Sequence, residues 1–292
     1  MAQESPGLEG PEPGDLAADT AVTGLDKAPG WFVADLPPAW DFATPSGGVL
    51  MTVALRAMLA EIGEPELRPI GAHALFLSPV PNGALEVRVE VLRRGNAAVQ
   101  ARAALSSTDR PGPGLEVSAT FGRELDGPAF TDSVMPAVTM PDAAPPEPPR
   151  RADRFVPPFI HNYDIVHGGG PPIWDAEHWP PGEAWYARWF RHRVPQFLDD
   201  GRLDPLVVPP IADTMVPAVA AAIGSDRDFY APSLDLTVHF LGDTRSDWLL
   251  TSSRSRRARA GYATADCEIW SADGDLVAYA TQTMIIRKPL DL

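Results

Sequence analysis

The chain has 292 residues, 45% of them hydrophobic, which is enough for one large domain or two of ordinary size. Its formal net charge of −15 argues against binding to nucleic acid or to an anionic membrane surface. The single cysteine, Cys267, excludes an intrachain disulfide and a thiolate metal cluster, and we expect a reducing, cytoplasmic compartment.

The N-terminal stretch, residues 1–29, is acidic and rich in proline and glycine. It has neither the basic start nor the apolar run of a signal peptide, so we expect a disordered tail. Nowhere do we expect a run long and apolar enough to span a bilayer.

A first folded unit is predicted over residues 30–135. Gly47-Gly48 opens a helix that runs to Gly63 with apolar residues at helical spacing. Asn82-Gly83 is typical of a tight hairpin turn between the first two of the strands that follow. These strands are predicted near residues 68–79, 84–93, 96–107 and 115–123.

A proline-dense connector, residues 136–154, leads to a second unit over 155–292. The second unit repeats the first, with a helix predicted over 211–223 and a hairpin turn at Asp273-Gly274. Its strands are predicted near residues 184–193, 233–241, 246–257, 261–271 and 275–287.

The two units are copies of one pattern, since Phe76 corresponds to Phe240 at an offset of 164. A helix followed by long alternating strands, repeated, predicts an α+β fold in which a sheet wraps round a helix twice. The copies differ where the first reads Gly47-Gly48-Val49 and Ser118-Ala119-Thr120 and the second reads Ala212-Asp213-Thr214 and Thr281-Gln282-Thr283. Of these stretches, only those of the second copy contain a carboxylate, Asp213, and an amide, Gln282.

Three polar positions stand out by their surroundings. Asp213 lies early in an apolar helix, where a carboxylate is either favoured by the helix dipole or kept for a task. Gln282 is a neutral amide inside an apolar final strand and must be hydrogen-bonded. Ser233 is by itself an ordinary turn residue, and Thr237, four residues on and on the same strand face, is its rival as a hydroxyl.

From Trp40 onward, over nearly its whole length, the chain resembles the acyl-CoA thioesterase II (TesB-type) family. The matching stretches, in chain order, are Gly47-Gly48, Ala72–Leu77, Val91–Gly95, Ala212-Asp213, Leu234-Asp235, His239-Phe240, Asp247–Leu250, Gly261, Asp273–Ala278 and Gln282. The resemblance implies a double-hotdog fold and a polar trio acting on water. The trio falls on Asp213, Ser233 and Gln282, with serine where better known members have threonine, and Ser78 replaces an arginine common in the family.

The resemblance implies hydrolysis of an acyl-CoA or acyl-carrier thioester to a free acid, with no cofactor and no metal ion. In that chemistry the carboxylate takes a proton from water while the hydroxyl and the amide position it. A homodimer or homotetramer is expected from the family alone. Two rivals remain on the same fold: a non-catalytic acyl-binding or accessory protein, and a hydratase or dehydratase, which would need a histidine beside a carboxylate.

Two other motifs carry weaker functional signals. His167-Gly168-Gly169-Gly170 resembles a lipase oxyanion loop, but no G-x-S-x-G elbow accompanies it, so we expect a flexible loop. Arg254, Arg256, Arg257 and Arg259 form the densest basic run. A solvated strand edge is slightly favoured for this run over a phosphate site.

Overall fold

One antiparallel sheet of twelve strands dominates the computed structural model, which describes residues 12–26, 28–110, 112–144, 156–173, 178–225 and 229–287. In chain order the strands are β1 (Thr23–Gly24), β2 (Trp31–Leu36), β3 (Arg68–Phe76), β4 (Gly83–Arg94), β5 (Ala98–Ser107), β6 (Leu115–Gly122), β7 (Tyr163–Gly169), β8 (Trp185–His192), β9 (Ser233–Phe240), β10 (Leu249–Arg259), β11 (Tyr262–Ser271) and β12 (Leu276–Ile285). The described α-helices are α1 (Leu16–Asp19), α2 (Gly47–Ile62), α3 (Val208–Ala212) and α4 (Val216–Ile223).

The strand order shows that the sheet is built twice on one plan. It runs β1-β2-β4-β5-β6-β3 and then β9-β12-β11-β10-β8-β7, so the second half repeats the first in reverse and β3 pairs with β9 at the join. The central helix α2 packs on β4, β5 and β6, while α4 packs on β8, β10 and β11. This confirms the predicted α+β double hotdog.

The pairing of β3 with β9 places a pseudo-twofold axis at the centre of the sheet. His73 lies opposite Thr237, and the two are separated by the same 164 residues as Phe76 and Phe240. Their neighbours Ala74 and Leu236 are buried beneath the sheet. His73 and Thr237 therefore point to the outer face, away from the helices, since side chains alternate along a strand.

The predicted hairpin turn at Asn82-Gly83 is wrong as a strand connection. β3 pairs with β6 and β9, and β4 pairs with β2 and β5, so the two strands that this turn would join are not neighbours. Gly83 has φ +94 and begins β4, while the Asn82 side chain donates to Asp41. The turn at Asp273-Gly274 is confirmed, because β11 and β12 pair on either side of it.

The helix predicted over 211–223 is broken in two. Asp213 ends α3 as its C-cap residue, with φ −72 and ψ 13, and α4 starts three residues later. Pro217 explains the break, because its ring would clash with the carbonyl of Asp213 in a continuous helix and it has no N–H to donate. The dipole interpretation required Asp213 to lie at the N-terminus of its own helix. Asp213 instead lies at the C-terminal end of α3, so that interpretation is wrong.

The segment Pro205–Ile223 corrects the expectation that no run is apolar enough to span a bilayer. By length and composition this stretch of 19 residues passes that test. However, 72% of the apolar 18-residue window within it is buried inside the protein, and the break at Asp213 interrupts the stretch. Such burial is typical of the core helix of a globular domain.

The disordered tail predicted for residues 1–29 is wrong from residue 12 onward, apart from residue 27; residues 1–11 and 27 lie outside the described residues. Asp15 caps α1, and Leu16 is fully buried in the hydrophobic core. The backbone N–H of Gly14 donates to Asn162, and that of Ala17 donates to Gln196. One buried leucine and a few long-range hydrogen bonds thus hold this acidic segment in place, although its composition predicts disorder.

The proline-dense connector is partly attached to the second unit. Residues 123–140, after β6, form no helix or strand. The Thr139 carbonyl accepts a hydrogen bond from Trp189 Nε1 at 2.8 Å, and the Thr139 N–H donates to Gly168. Residues 145–155 lie outside the described residues. The glycine motif at 167–170 is not the predicted flexible loop, because Gly169 ends β7 and packs closely against Trp185.

Candidate active site

The structure brings Asp213, Ser233 and Gln282 together beneath the join of the two halves. Asp213 lies between α3 and α4, Ser233 begins β9, and Gln282 lies on the adjacent strand β12, where it pairs with Leu236. Ser233 pairs with Met284 two residues further on. Both strand residues therefore face the helices on the inner side of the sheet.

Their polar atoms form one hydrogen-bonded cluster. The Ser233 hydroxyl donates to Asp213 Oδ1 at 3.0 Å, and Gln282 Nε2 donates both to that oxygen and to Ser233 Oγ, the latter at 2.8 Å. Gln282 is fully buried, and its Oε1 has no partner in the described part of the chain. A carboxylate, a hydroxyl and an amide nitrogen thus meet in one cluster, and the amide oxygen beside them is left without a partner.

The N-terminus of α2 supplies the remaining contacts of the carboxylate. The Gly48 N–H donates to Asp213 Oδ2 at 3.0 Å, and the Ser46 hydroxyl donates to the same oxygen at a longer 3.4 Å. The positive end of the α2 dipole therefore faces Asp213. Sequence reasoning missed Ser46, although a serine before Gly47-Gly48 is the residue type expected to cap a helix.

Glycine at positions 47 and 48 permits this contact between the halves. A Cβ on Gly48 would lie 2.1 Å from the Pro209 carbonyl oxygen, and one on Gly47 would lie 2.5 Å from the Phe76 ring. The backbones of α2 and α3 can therefore touch only without side chains here. This close approach is what places the first N–H groups of α2 against Asp213.

Burial dominates the electrostatics of the site. Desolvation raises the pKa of Asp213 to about 6, although hydrogen bonds from Gly48, Ser233, Gln282 and Ser46 each lower it. An acid of this strength is ionised at neutral pH yet remains a competent proton acceptor. The raised pKa is what a general base working near neutrality requires.

A pH profile follows from this pKa. We expect kcat/KM to rise with pH through about 6 and to level off above neutrality, because only the ionised Asp213 can accept a proton. Gln282→Ala removes a hydrogen bond that lowers this pKa, so the acid limb should move to higher pH. Initial rates between about pH 4.5 and pH 9 measure both; an acid limb that ignores Gln282→Ala would contradict the assignment.

Only one of the two pseudo-equivalent positions carries these groups. The repeat alignment makes Gly48 the equivalent of Asp213, and the matching strand registers make Pro69 the equivalent of Ser233 and Ala119 the equivalent of Gln282. None of these three has a polar side chain. The chain therefore holds one polar site and one apolar counterpart.

Thr237, the rival hydroxyl, lies elsewhere. Its Oγ1 is 2.8 Å from His73 Nδ1 on the outer face of the sheet. Ser233 is the hydroxyl that contacts Asp213. Sequence alternation alone could not separate them, because a bulge in the register between β9 and β12, at Ser233 and Asp235, shifts Ser233 to the inner face.

Other reactive groups do not join the site. Cys267 is buried, and desolvation raises the pKa of its thiol to about 12, which suits a core residue rather than a nucleophile. Within the described ranges, no three His, Cys, Asp or Glu side chains come together as a metal ion would require.

Family comparisons give this site its context. The acyl-CoA thioesterase N-terminal domain matches residues 36–122 and the corresponding C-terminal domain matches residues 141–286. No curated protein was found to match the chain in sequence.

Solved structures agree on the fold. A hot dog protein of unknown function from Alicyclobacillus acidocaldarius is 22% identical, with a TM-score of 0.77 over 94% of this chain and 98% of its own. The acyl-CoA thioesterase II of Mycobacterium marinum is 21% identical, with a TM-score of 0.74 over 95% of this chain and all of its own. With both family domains matched in order, the chain belongs to the acyl-CoA thioesterase family, and its fold is the double hotdog.

Proposed function

We propose that this protein hydrolyses acyl thioesters, of CoA or of a carrier, to a free carboxylic acid and a thiol, with water as the second substrate and no cofactor. The observation that carries the proposal is the convergence of Asp213, Ser233 and Gln282 on one point, with the pKa of Asp213 raised to about 6. Family membership supports the choice of thioesters as substrate.

In this mechanism the water molecule donates one O–H to Asp213 and the other to Gln282 Oε1. Its oxygen attacks the thioester carbonyl carbon as Asp213 accepts the proton. The carbonyl oxygen becomes an oxyanion, and the positive end of the α2 dipole, which lies beside Asp213 at Gly48, stabilises the developing charge. The C–S bond then breaks, and the departing thiolate takes the proton from Asp213, which restores the carboxylate.

The rival chemistry of a hydratase finds less support. It calls for a histidine beside the carboxylate, whereas His73 bonds to Thr237 on the opposite face of the sheet. The partners described for Asp213 are hydroxyl, amide and backbone groups.

Two alanine substitutions test whether Ser233 or Thr237 is the hydroxyl of the site. Ser233→Ala should lower kcat about tenfold to a hundredfold, because it removes a hydrogen bond to the base, while Thr237→Ala should leave kcat unchanged. The measurement is thiol release, detected with a colorimetric thiol reagent, from acyl-CoAs running from acetyl to palmitoyl. The reverse pattern, with Thr237→Ala inactive and Ser233→Ala active, would contradict the site.

The same assay decides between enzyme and binding protein. Turnover on some chain length that collapses in Asp213→Asn supports hydrolysis at this site. If the folded wild type releases no thiol from any acyl-CoA or acyl-carrier thioester, the accessory-protein alternative is favoured instead.

We also propose a cellular location and an oligomeric state for the enzyme. A cytoplasmic location agrees with a lone, buried cysteine, and a homodimer or homotetramer agrees with the family resemblance. Light scattering coupled to size-exclusion chromatography measures the assembly directly.

A further inference from the structure

We propose that a second copy of this chain packs on the outer face of the four central strands β6, β3, β9 and β12. The outward side chains of these strands are here called the central outer face. A twofold axis that crosses the strands at His73 and Thr237 relates the two copies. The interface lies on the side of the sheet away from the active site, and it gives the proposed homodimer or homotetramer a surface.

Large apolar side chains are exposed on the central outer face at equivalent positions of the two repeats. Leu77 directly follows β3 and Leu241 directly follows β9, and they are 53% and 54% exposed. Ile70 and Leu234, at the same offset of 164, are exposed as well, and Leu75 is 44% exposed. Single exposed leucines are ordinary, whereas a group of them on one face of a sheet is typical of a surface that binds another protein.

The same face carries few charges. Between the levels of Gly71 and Leu75, the charged side chains that point outward from the four strands are Glu116 and Asp235. Other outward positions hold glycine, serine or threonine, namely Gly71, Ser118, Thr120, Thr237, Thr281 and Thr283. Two chains of net charge −15 repel each other, so they can approach closely where a face is nearly uncharged.

The chain itself covers the adjoining part of the outer face. On β8, β10 and β11 the outward side chains of Trp189, Leu250 and Trp270 are buried, and Met135 and Val138 of the segment after β6 pack against this cluster. The described segments leave the central outer face open, as the exposure of its leucines shows. A second molecule can therefore pack there without displacing any described part of the chain.

The strand register makes the central outer face complementary to itself. His73 pairs with Thr237, and a twofold axis along this line places each residue opposite the one equally far on the other side of it. His239 and Asp235 lie two residues after and two residues before Thr237. The imidazole of each copy therefore meets the carboxylate of the other, and this contact forms twice.

The apolar residues match under the same operation. Leu75 and Gly71 lie two residues on either side of His73, so that a leucine packs over a glycine twice. An axis along the strands would instead set Leu75 against Asp235, its neighbour in the sheet. The axis across the strands also brings together the remaining large apolar side chains, Leu241 with Leu234 and Leu77 with Ile70.

The area of the face is sufficient for a specific interface. Four strands about 4.8 Å apart, with about eight residues each at about 3.3 Å per residue, give a footprint of roughly 500 Å². Two copies together bury about 1,000 Å² before the relief of the side chains is counted, which reaches the lower limit for a specific interface. Sheets that pack face to face in this way lie about 10 Å apart.

Light scattering coupled to size-exclusion chromatography, over a dilution series, tests the surface. Leu77→Glu/Leu241→Glu places carboxylates among apolar side chains of the second copy, and His239→Glu places one against its Asp235. Each variant should halve the molar mass of the wild-type assembly. Leu92→Glu is the matched control, since Leu92 is also 53% exposed but lies on β4, outside the four strands, and its mass should not change.

Chemical cross-linking tests the axis. Thr237 lies on the axis and therefore faces Thr237 of the second copy, so Thr237→Cys should yield a covalent dimer with a short bifunctional maleimide. The native Cys267 is buried and should not react. Leu92→Cys is the control for this experiment and should stay uncoupled, because it lies outside the interface.

The other outcomes are distinguishable, and none depends on catalysis. A monomeric wild type would overturn the interface and the proposed assembly, while thiol release still tests hydrolysis. An assembly that keeps its mass in both glutamate variants, or that Leu92→Glu disrupts equally, would reject this surface. If circular dichroism shows that the glutamate variants are unfolded, the cysteine pair decides: a cross-link at Leu92→Cys, or none at Thr237→Cys, rejects the proposed packing.

Discussion

Asp213→Asn is expected to lower kcat for thioester hydrolysis by about 10³-fold to 10⁴-fold, the upper part of the range for loss of a general base. The asparagine cannot accept the proton of the attacking water. The local structure should survive, because the amide oxygen can still accept from the Gly48 N–H. Rotation of Gln282 would turn its unpartnered Oε1 toward the new amide N–H. Steady-state thiol release measures the loss.

The same substitution should stabilise the protein at neutral pH. The folded-state pKa of about 6 exceeds the ordinary value of 3.8, so the folded protein favours the protonated acid. That contribution to the free energy of unfolding is fully present below the unfolded pKa and is lost as pH rises through about 6. Asparagine stays neutral, and the gain at neutral pH should be about 1–3 kcal/mol.

Thermal denaturation at two pH values checks the sign. At about pH 7.5 the Tm of Asp213→Asn should exceed that of the wild type by a few degrees, and near pH 4 the difference should close. A variant that keeps its activity would mean that Asp213 is not the general base. A Tm difference that does not depend on pH would mean that burial does not raise the pKa of Asp213.

Gly48→Ala is expected to cause the largest loss of stability, about 3 kcal/mol or more, despite alanine being the better helix former. Its Cβ would lie 2.1 Å from the Pro209 carbonyl oxygen and 2.7 Å from the Pro210 Cα. Both obstacles are backbone atoms in a buried helix, so relief requires α2 and α3 to move apart. That movement would also withdraw the Gly48 N–H from Asp213, and activity should fall with stability.

Gly127→Ala is the matched control. No atom lies within 4 Å of a Cβ at this exposed glycine, so the substitution should change the free energy of unfolding by less than about 0.5 kcal/mol. Urea denaturation of the two variants beside the wild type gives the comparison. Equal stability of Gly48→Ala and Gly127→Ala would show that the contact between α2 and α3 is looser than the structure indicates.

The repeated pattern of helix and alternating strands was sufficient to predict the architecture. Alternation of apolar residues depends on the local period of the backbone, and the 164-residue offset between Phe76 and Phe240 reappears in the pairing of His73 with Thr237. The sequence was less informative about which strands are neighbours in the sheet. The turn at Asn82-Gly83 has hairpin chemistry, yet β3 and β4 are not neighbours, because the choice of partner strand depends on the whole sheet.

For the site, the sequence by itself singled out Asp213 and Gln282 as polar residues in apolar surroundings, and a family resemblance added Ser233. Tertiary structure decided the rest. Gly48 and Ser46 reach Asp213 from 165 and 167 residues away, across the pseudo-twofold axis. The pKa of about 6 arises from burial in that interface, and the pairing of Arg254 and Arg256 but not Arg257 depends on which carboxylates the fold brings near. Residue type and period are local properties, whereas desolvation and charge pairing belong to the packed chain.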